Sequence, residues 1–149
     1  MPVVLFVCVH NAGRSQMAEA FFNQIAQERH LHARAESAGT EPGDHVHPEV
    51  AAAMRELGID LTAKRPKLLT DKLIKESQRV ITMGCAPDAA ACPAILLRDV
   101  EDWALPDPHS QPLRRVREIR DQVRRRVLQL VEQIERTDIE DAPPIDQGD

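Results

Sequence analysis

Apolar residues fall into two kinds of run, which alternate along the chain. Val3, Val4, Leu5, Phe6 and Val7 are contiguous, β-branched and aromatic, which predicts a strand buried on both faces. From Ser15 to about Glu28 the pattern changes: Met17, Ala20, Phe21, Ile25 and Ala26 recur at helical spacing, with Gln16, Glu19, Asn23 and Gln24 on other faces. Ala33 to Ala38 reads as a second strand, and Pro48 to Leu57 as a helix opened by proline and closed by Gly58. Thr70 can cap a short helix through Glu76, and Arg79 to Met83 forms a third strand with Val80, Ile81, Thr82 and Met83 in the core. Ile95 to Leu97 is the expected fourth. From Pro112 onward, Val116, Ile119, Val123, Val127, Leu130, Val131 and Ile134 mark one buried stripe on a long helix. Beyond Arg136 the chain is acidic and proline-containing, so residues 1–136 are read as the folded domain and 137–149 as a disordered tail. Strands alternating with helices predict an α/β fold with a parallel doubly wound sheet, whose ligands bind beyond the carboxyl ends of the strands. No internal repeat is present.

A chain of 149 residues supports one core and a single domain. Its formal net charge of -5 repels nucleic acid and anionic membranes over most of the surface. The opening apolar run is far too short to span a bilayer, and neither a basic segment nor a small-residue cleavage site accompanies it, so a cytoplasmic protein is expected. Three cysteines at wide spacing fit neither a secreted disulfide framework nor wholly incidental thiols, which leaves metal binding, catalysis or chance.

Where the first strand runs into the first helix the chain reads Cys8-Val9-His10-Asn11-Ala12-Gly13-Arg14-Ser15. A loop this short can curl so that successive backbone N–H groups point inward, with the helix N-terminus adding partial positive charge; such a cradle binds a tetrahedral oxyanion. Gly13 permits unusual backbone angles, Arg14 can give two hydrogen bonds to two oxygens, and Cys8 lies beneath the central atom. The same field favours a thiolate, with Ser15 and Asn11 as further donors or organisers, so no separate general base is required. The plain alternative is a buried core cysteine and a solvent-facing arginine.

The run from Val4 through Cys8, Arg14 and Ser15 to Glu19 resembles the signature of arsenate reductases related to the low-molecular-weight protein tyrosine phosphatases. Ser37-Ala38-Gly39-Thr40 resembles that family's second strand and turn, Ile81 to Cys85 its third strand, and Trp103 to Pro108 its acid loop. The resemblance covers Pro2 to about Ile134. It implies a four-stranded parallel sheet flanked by helices, Cys8 as nucleophile, Arg14 as oxyanion clamp and Asp107 as general acid.

Attack on arsenate or phosphate needs a proton donor for the departing oxygen, and Asp107 between Pro106 and Pro108 suits that task. The alternative is a plain Asp-Pro turn. Trp103 reads as the packing anchor of the loop. The reaction type turns on Cys85 and Cys92. The resemblance implies that Cys8 forms a covalent arsenic adduct and that a second thiol attacks Cys8 to release arsenite. Cys85, ending the third strand, is placed for that attack, and Cys92 can then take over the disulfide in a relay. The alternative is that Cys85 fills space at a strand end and Cys92 is an ordinary loop thiol. Zinc is disfavoured because four closely paired ligands are missing, and no metal or bound cofactor is expected; the requirement is an external thiol reductant.

Other features take plainer readings. His45 and His47 are expected to face solvent without a third metal ligand. Arg114, Arg115, Arg117, Arg120, Arg124, Arg125 and Arg126, interleaved with acids, read as a solvated helix face rather than a nucleic-acid surface. Some thioredoxin-linked relatives hold a monovalent cation through residues that Asn11, Glu19 and Ser37 resemble, but Lys64-Arg65-Pro66-Lys67 stands where an acidic residue is needed. Three functions therefore compete: thiol-dependent arsenate reduction, phosphotyrosine hydrolysis, and a binding module without turnover. In the phosphatase branch tyrosines typically follow Asp-Pro, whereas here His109 and Ser110 do and the chain has no tyrosine. Expected partners are arsenate, with phosphate or sulfate as competing oxyanions, and either thioredoxin or mycothiol or glutathione with a glutaredoxin-like protein.

Overall fold

The computed structural model describes residues 1–84 and 100–141, with side chains to Thr137. Strand β1 (Val3–Cys8) is followed by helix α1 (Arg14–Glu28), β2 (Arg34–Gly39), α2 (Pro48–Arg55), α3 (Asp71–Glu76), β3 (Arg79–Thr82), β4 (Glu101–Asp102) and a final helix α4 (Leu113–Asp141). The four strands make one sheet in the order β2-β1-β3-β4. Every pairing is parallel. β1 thus lies between two neighbours, and all six of its residues are buried, as an unbroken apolar run requires.

Successive β1 residues point to opposite faces of the sheet, so two cores form. Val4, Phe6 and Cys8 face the larger one, with Met17, Phe21, Phe22 and Ile25 of α1 and Val116, Ile119, Val123 and Val127 of α4. Leu5 and Val7 face the smaller, closed by Ile74 of α3 and Val80 of β3. Phe6 is fully buried, its ring 6.3 Å from Phe22 and 5.5 Å from Trp103. Burying an apolar side chain of this size contributes about 1.5–3 kcal/mol, so β1 alone supplies much of the folding drive. Its outcome is to carry Cys8 to the carboxyl edge of the sheet.

The expected elements are present, with shifts at their ends. α2 stops at Arg55, and the chain turns through to Gly58, where φ is +78. Thr70 caps α3 by accepting from the Leu73 N–H at 3.2 Å. The expected strand at Ile95 to Leu97 lies outside the described residues; the fourth described strand is Glu101–Asp102, tied to β3 by Thr82 Oγ1 donating to Asp102 Oδ1 at 2.5 Å. The boundary drawn at Arg136 falls short, because α4 runs on to Asp141. Residues 137–141 contain neither proline nor glycine, and the first helix-stopping residue is Pro143.

The arginines of α4 are not a uniformly solvated face. Arg120 is 8% exposed and donates to Ala53 O and Glu56 Oε1, while Arg117 pairs with both oxygens of Glu56. These contacts clamp α4 to the end of α2. Arg126 lies over the Trp103 ring, 5.2 Å from its centroid. Among the described residues no helix is long and apolar enough to cross a membrane.

Candidate active site

Cys8 ends β1 and is buried, with Sγ 2.8 Å from Ser15 Oγ. The direction of that hydrogen bond follows from its neighbours. The Lys67 N–H can only donate, and it donates to Asn11 Oδ1 at 3.0 Å. That fixes the amide, so Asn11 Nδ2 donates to Ser15 Oγ at 2.7 Å. Ser15 then accepts from Asn11, and its own hydrogen is free to point at the Cys8 sulfur. Gln16 Nε2 donates to Asn11 O and Oδ1 at 3.1 and 3.2 Å, so Asn11 is held from three sides.

The segment 40–47 runs along the outside of the loop and takes its carbonyls: Thr40 N–H donates to Cys8 O, Glu41 to Val9 O, Gly43 to His10 O and His47 to Ala12 O, at 2.8–3.3 Å. These bonds take up the carbonyls on the outer side of the loop. Gly13 is the N-cap of α1 and no side chain caps the helix, so its first N–H groups are open to an anion. The left-handed residue of the loop is Asn11, at φ +49, rather than Gly13. Gly13 is needed for space: a Cβ there would come within 2.9 Å of Pro108 Cγ.

Pro108 brings the acid loop onto the oxyanion loop. Arg14 Nη1 donates to Leu105 O at 2.9 Å, and its Nη2 lies 3.9 Å from Asp107 Oδ2. The Arg14 side chain is 12% exposed, Asp107 55%. Asp107 Oδ1 accepts from the His109 N–H at 3.0 Å. Cys8, Arg14, Ser15 and Asp107, predicted from widely separated parts of the sequence, are therefore brought together, and Trp103 packs against Phe6 beneath the acid loop as expected. Cys85 and Cys92 lie outside the described residues.

Around this centre the histidines depart from expectation. His45 is exposed, but His47 is only partly so, and its ring lies 4.6 Å from that of His109. Burial lowers the His47 imidazole below its usual range, reinforced by His109 and opposed by Asp107 and Glu49. His10 is exposed, its Nδ1 2.9 Å from Glu41 O. The spacing of His45 and His47 drew attention to them only as metal ligands; the contact of His47 with His109 left no sign in the sequence, because the two lie far apart along the chain. The residues once compared with a cation site are engaged by the protein itself: Lys64 Nζ lies 3.7 Å from Glu19 Oε2, Lys67 Nζ 3.7 Å from Glu36 Oε1, and the Asn11 amide is committed to Ser15 and Lys67. Burial raises the Glu19 carboxyl despite Lys64 and Lys67. Among the described residues no cluster of three or more metal-ligating side chains occurs.

Comparison with known proteins agrees with this geometry. A protein 42% identical over 130 residues, covering 86% of this chain and 89% of its own, is the putative arsenate reductase of Halobacterium salinarum. The glutaredoxin arsenate reductase of Synechocystis is 34% identical over 90% of this chain and 99% of its own. Among solved structures, the thioredoxin-dependent arsenate reductase of Corynebacterium glutamicum superposes with a TM-score of 0.72 at 34% identity, over 92% of this chain and 63% of that one. The model of the low molecular weight phosphotyrosine protein phosphatases matches residues 3–139, and with Cys8, Arg14 and Asp107 arranged around one loop this chain belongs to that family.

Proposed function

We propose that this protein reduces arsenate to arsenite, using Cys8 as nucleophile and thiols as electron donors. The observation that carries the reading is the convergence of Cys8, the Asn11–Ser15 donor chain and the Arg14 fork on one loop. The names of its relatives support arsenate as the oxyanion.

Arsenate settles against the loop N–H groups and the start of α1, and Arg14 turns from Leu105 O and Asp107 to two of its oxygens. The Cys8 thiolate attacks arsenic, forming an S–As bond, while Asp107 gives a proton to the oxygen that leaves as water. A second thiol then attacks the Cys8 sulfur: an S–S bond forms, the S–As bond breaks, and its electron pair leaves on arsenic as arsenite. In the chain's own relay Cys85 makes that attack and Cys92 takes the disulfide onward to thioredoxin. In the other route mycothiol or glutathione makes it, and a glutaredoxin-like protein clears the mixed disulfide. No bound cofactor is needed in either, and both place the protein in the cytoplasm, where donor thiols are kept reduced.

Hydrolysis of aryl phosphates is the competing activity, and it lacks the tyrosines that would wall an aromatic substrate. The test is turnover of purified protein with arsenate and each donor separately, beside hydrolysis of an aryl phosphate. Arsenite production with one donor system is expected. Aryl phosphate hydrolysis with no arsenite from any donor would overturn the reading.

A further inference from the structure

The acid loop and the oxyanion loop meet through two imidazoles. His47 is anchored by its backbone, its N–H donating to Ala12 O at 2.9 Å, and its ring Cδ2 lies 3.6 Å from the point a Cβ on Gly13 would occupy. The His109 ring lies 4.6 Å from it, tilted by 52°, and the His109 backbone N–H holds Asp107. The rings therefore stand beside the loop carrying Cys8 and the carboxylate proposed to protonate the leaving oxygen. We propose that His47 and His109 form an imidazole rim that recruits a small dianionic oxyanion to the Cys8 loop and sets its affinity as a function of pH; this rests on reading that loop as the oxyanion site.

The physics is that of a close like-charged pair. Two imidazolium rings at this separation repel, so charge on His109 opposes charge on His47. Four neighbours act on His47 besides burial: His109 and His10 oppose its charge, while Asp107 from the acid loop and Glu49 from the first turn of α2 favour it. Arg14 faces the same carboxylate of Asp107 from the oxyanion loop. An arriving dianion adds negative charge to this set and draws a proton onto the pair. Binding is thus tighter at pH values where the rim carries a proton and weaker where it has lost it. The device adds attraction for a compact anion and offers no flat hydrocarbon wall.

The experiment measures how well sulfate protects Cys8 from alkylation, pH by pH. Sulfate is neither reduced by thiols nor changes charge between about pH 5 and 8, the range in which imidazoles titrate. Protection constants come from alkylation rates with and without sulfate, for wild type, His109→Gln and the His47→Gln/His109→Gln double variant. His109 is exposed, so its single substitution tests the rim with the least demand on folding. Wild-type protection should weaken as pH rises through the imidazole range. The His109→Gln variant, in which His47 still titrates without its neighbour's repulsion, should displace that dependence, and the double variant should lose it and bind sulfate roughly tenfold less tightly at the acid end, the size of a local-charge effect on anion capture. A variant that keeps the wild-type constant and pH profile overturns the proposal. The arsenate assay on wild type is separate: failure to form arsenite there would sink the reductase reading, while the sulfate profiles would still decide the rim.

Discussion

Asn11 carries the architecture of the loop. Its left-handed φ of +49 is one that asparagine adopts more readily than most residues, and its amide joins Lys67, Ser15 and Gln16 in a buried network. Asn11→Ala would leave the Lys67 N–H without its acceptor and Ser15 without its donor. That should cost about 1–3 kcal/mol, read from urea denaturation, and slow alkylation of Cys8 as the hydroxyl loses its orientation. Unchanged stability would show that the network is not what holds the loop. Asp107 gives the contrasting expectation. Asp107→Asn should reduce arsenate turnover by about 10²-fold or more, the usual worth of a positioned acid, while Cys8 alkylates at its normal rate; equal loss of both would point to a misfolded loop. Arg14→Lys keeps the charge but loses the fork that reaches Leu105 O and Asp107, and should likewise cut kcat/KM severely, with near-normal kinetics removing Arg14 from the clamp. Cys8 and Arg14 could be singled out from residue type and spacing, whereas Asp107 was singled out only by the family resemblance. The significance of His47 was not legible: it comes from a contact with His109, which local pattern cannot reveal.

The sheet could be read at the level of elements because β1 and β3 carry apolar runs that burial explains and β2 falls between two helices, whereas β4 is a two-residue strand, too short to leave a signal. The outer segment 40–47 had no periodicity either, yet it holds four carbonyls of the oxyanion loop. β2 delivers that segment through Gly39, where a Cβ would come within 2.6 Å of Val9 O and 2.9 Å of Asn11 N. Both obstacles are backbone and cannot swing aside. Gly39→Ala should therefore distort the loop itself, lowering Cys8 reactivity along with stability, and a variant with normal alkylation and turnover would refute the close approach. On α1, burial holds the Glu19 carboxyl above its ordinary value of 4.5. The folded protein then binds that proton more tightly than the unfolded chain, so Glu19's contribution is fully present below the ordinary value and is lost as pH rises through the raised one. Glu19→Gln should flatten that stretch of the stability curve in denaturation measured against pH; an unaltered slope would assign it to another group.

Taken whole, the molecule places the Cys8 sulfur at the carboxyl edge of a parallel sheet and brings three remote segments onto the loop that follows it: the basic strap through Lys67, the outer segment through His47 and the acid loop through Pro108. The fold and the placement of Cys8 at the sheet edge followed from sequence because both rest on one strand and the loop it feeds, while the supporting contacts depend on tertiary approach. The central claim is that Cys8 spends its electrons on arsenic. Its most direct test is a single turnover: reduced protein is mixed with one equivalent of arsenate, quenched, and assayed for arsenite and for the state of each cysteine, with and without a small thiol. The account predicts arsenite in step with oxidation that passes through Cys8, ending as a Cys85–Cys92 disulfide if the internal relay operates or as a mixed disulfide on Cys8 if a small thiol is required. A Cys8→Ser protein should form none. Arsenite from the Cys8→Ser protein, or none from wild type under any thiol while all three cysteines stay reduced, would contradict it.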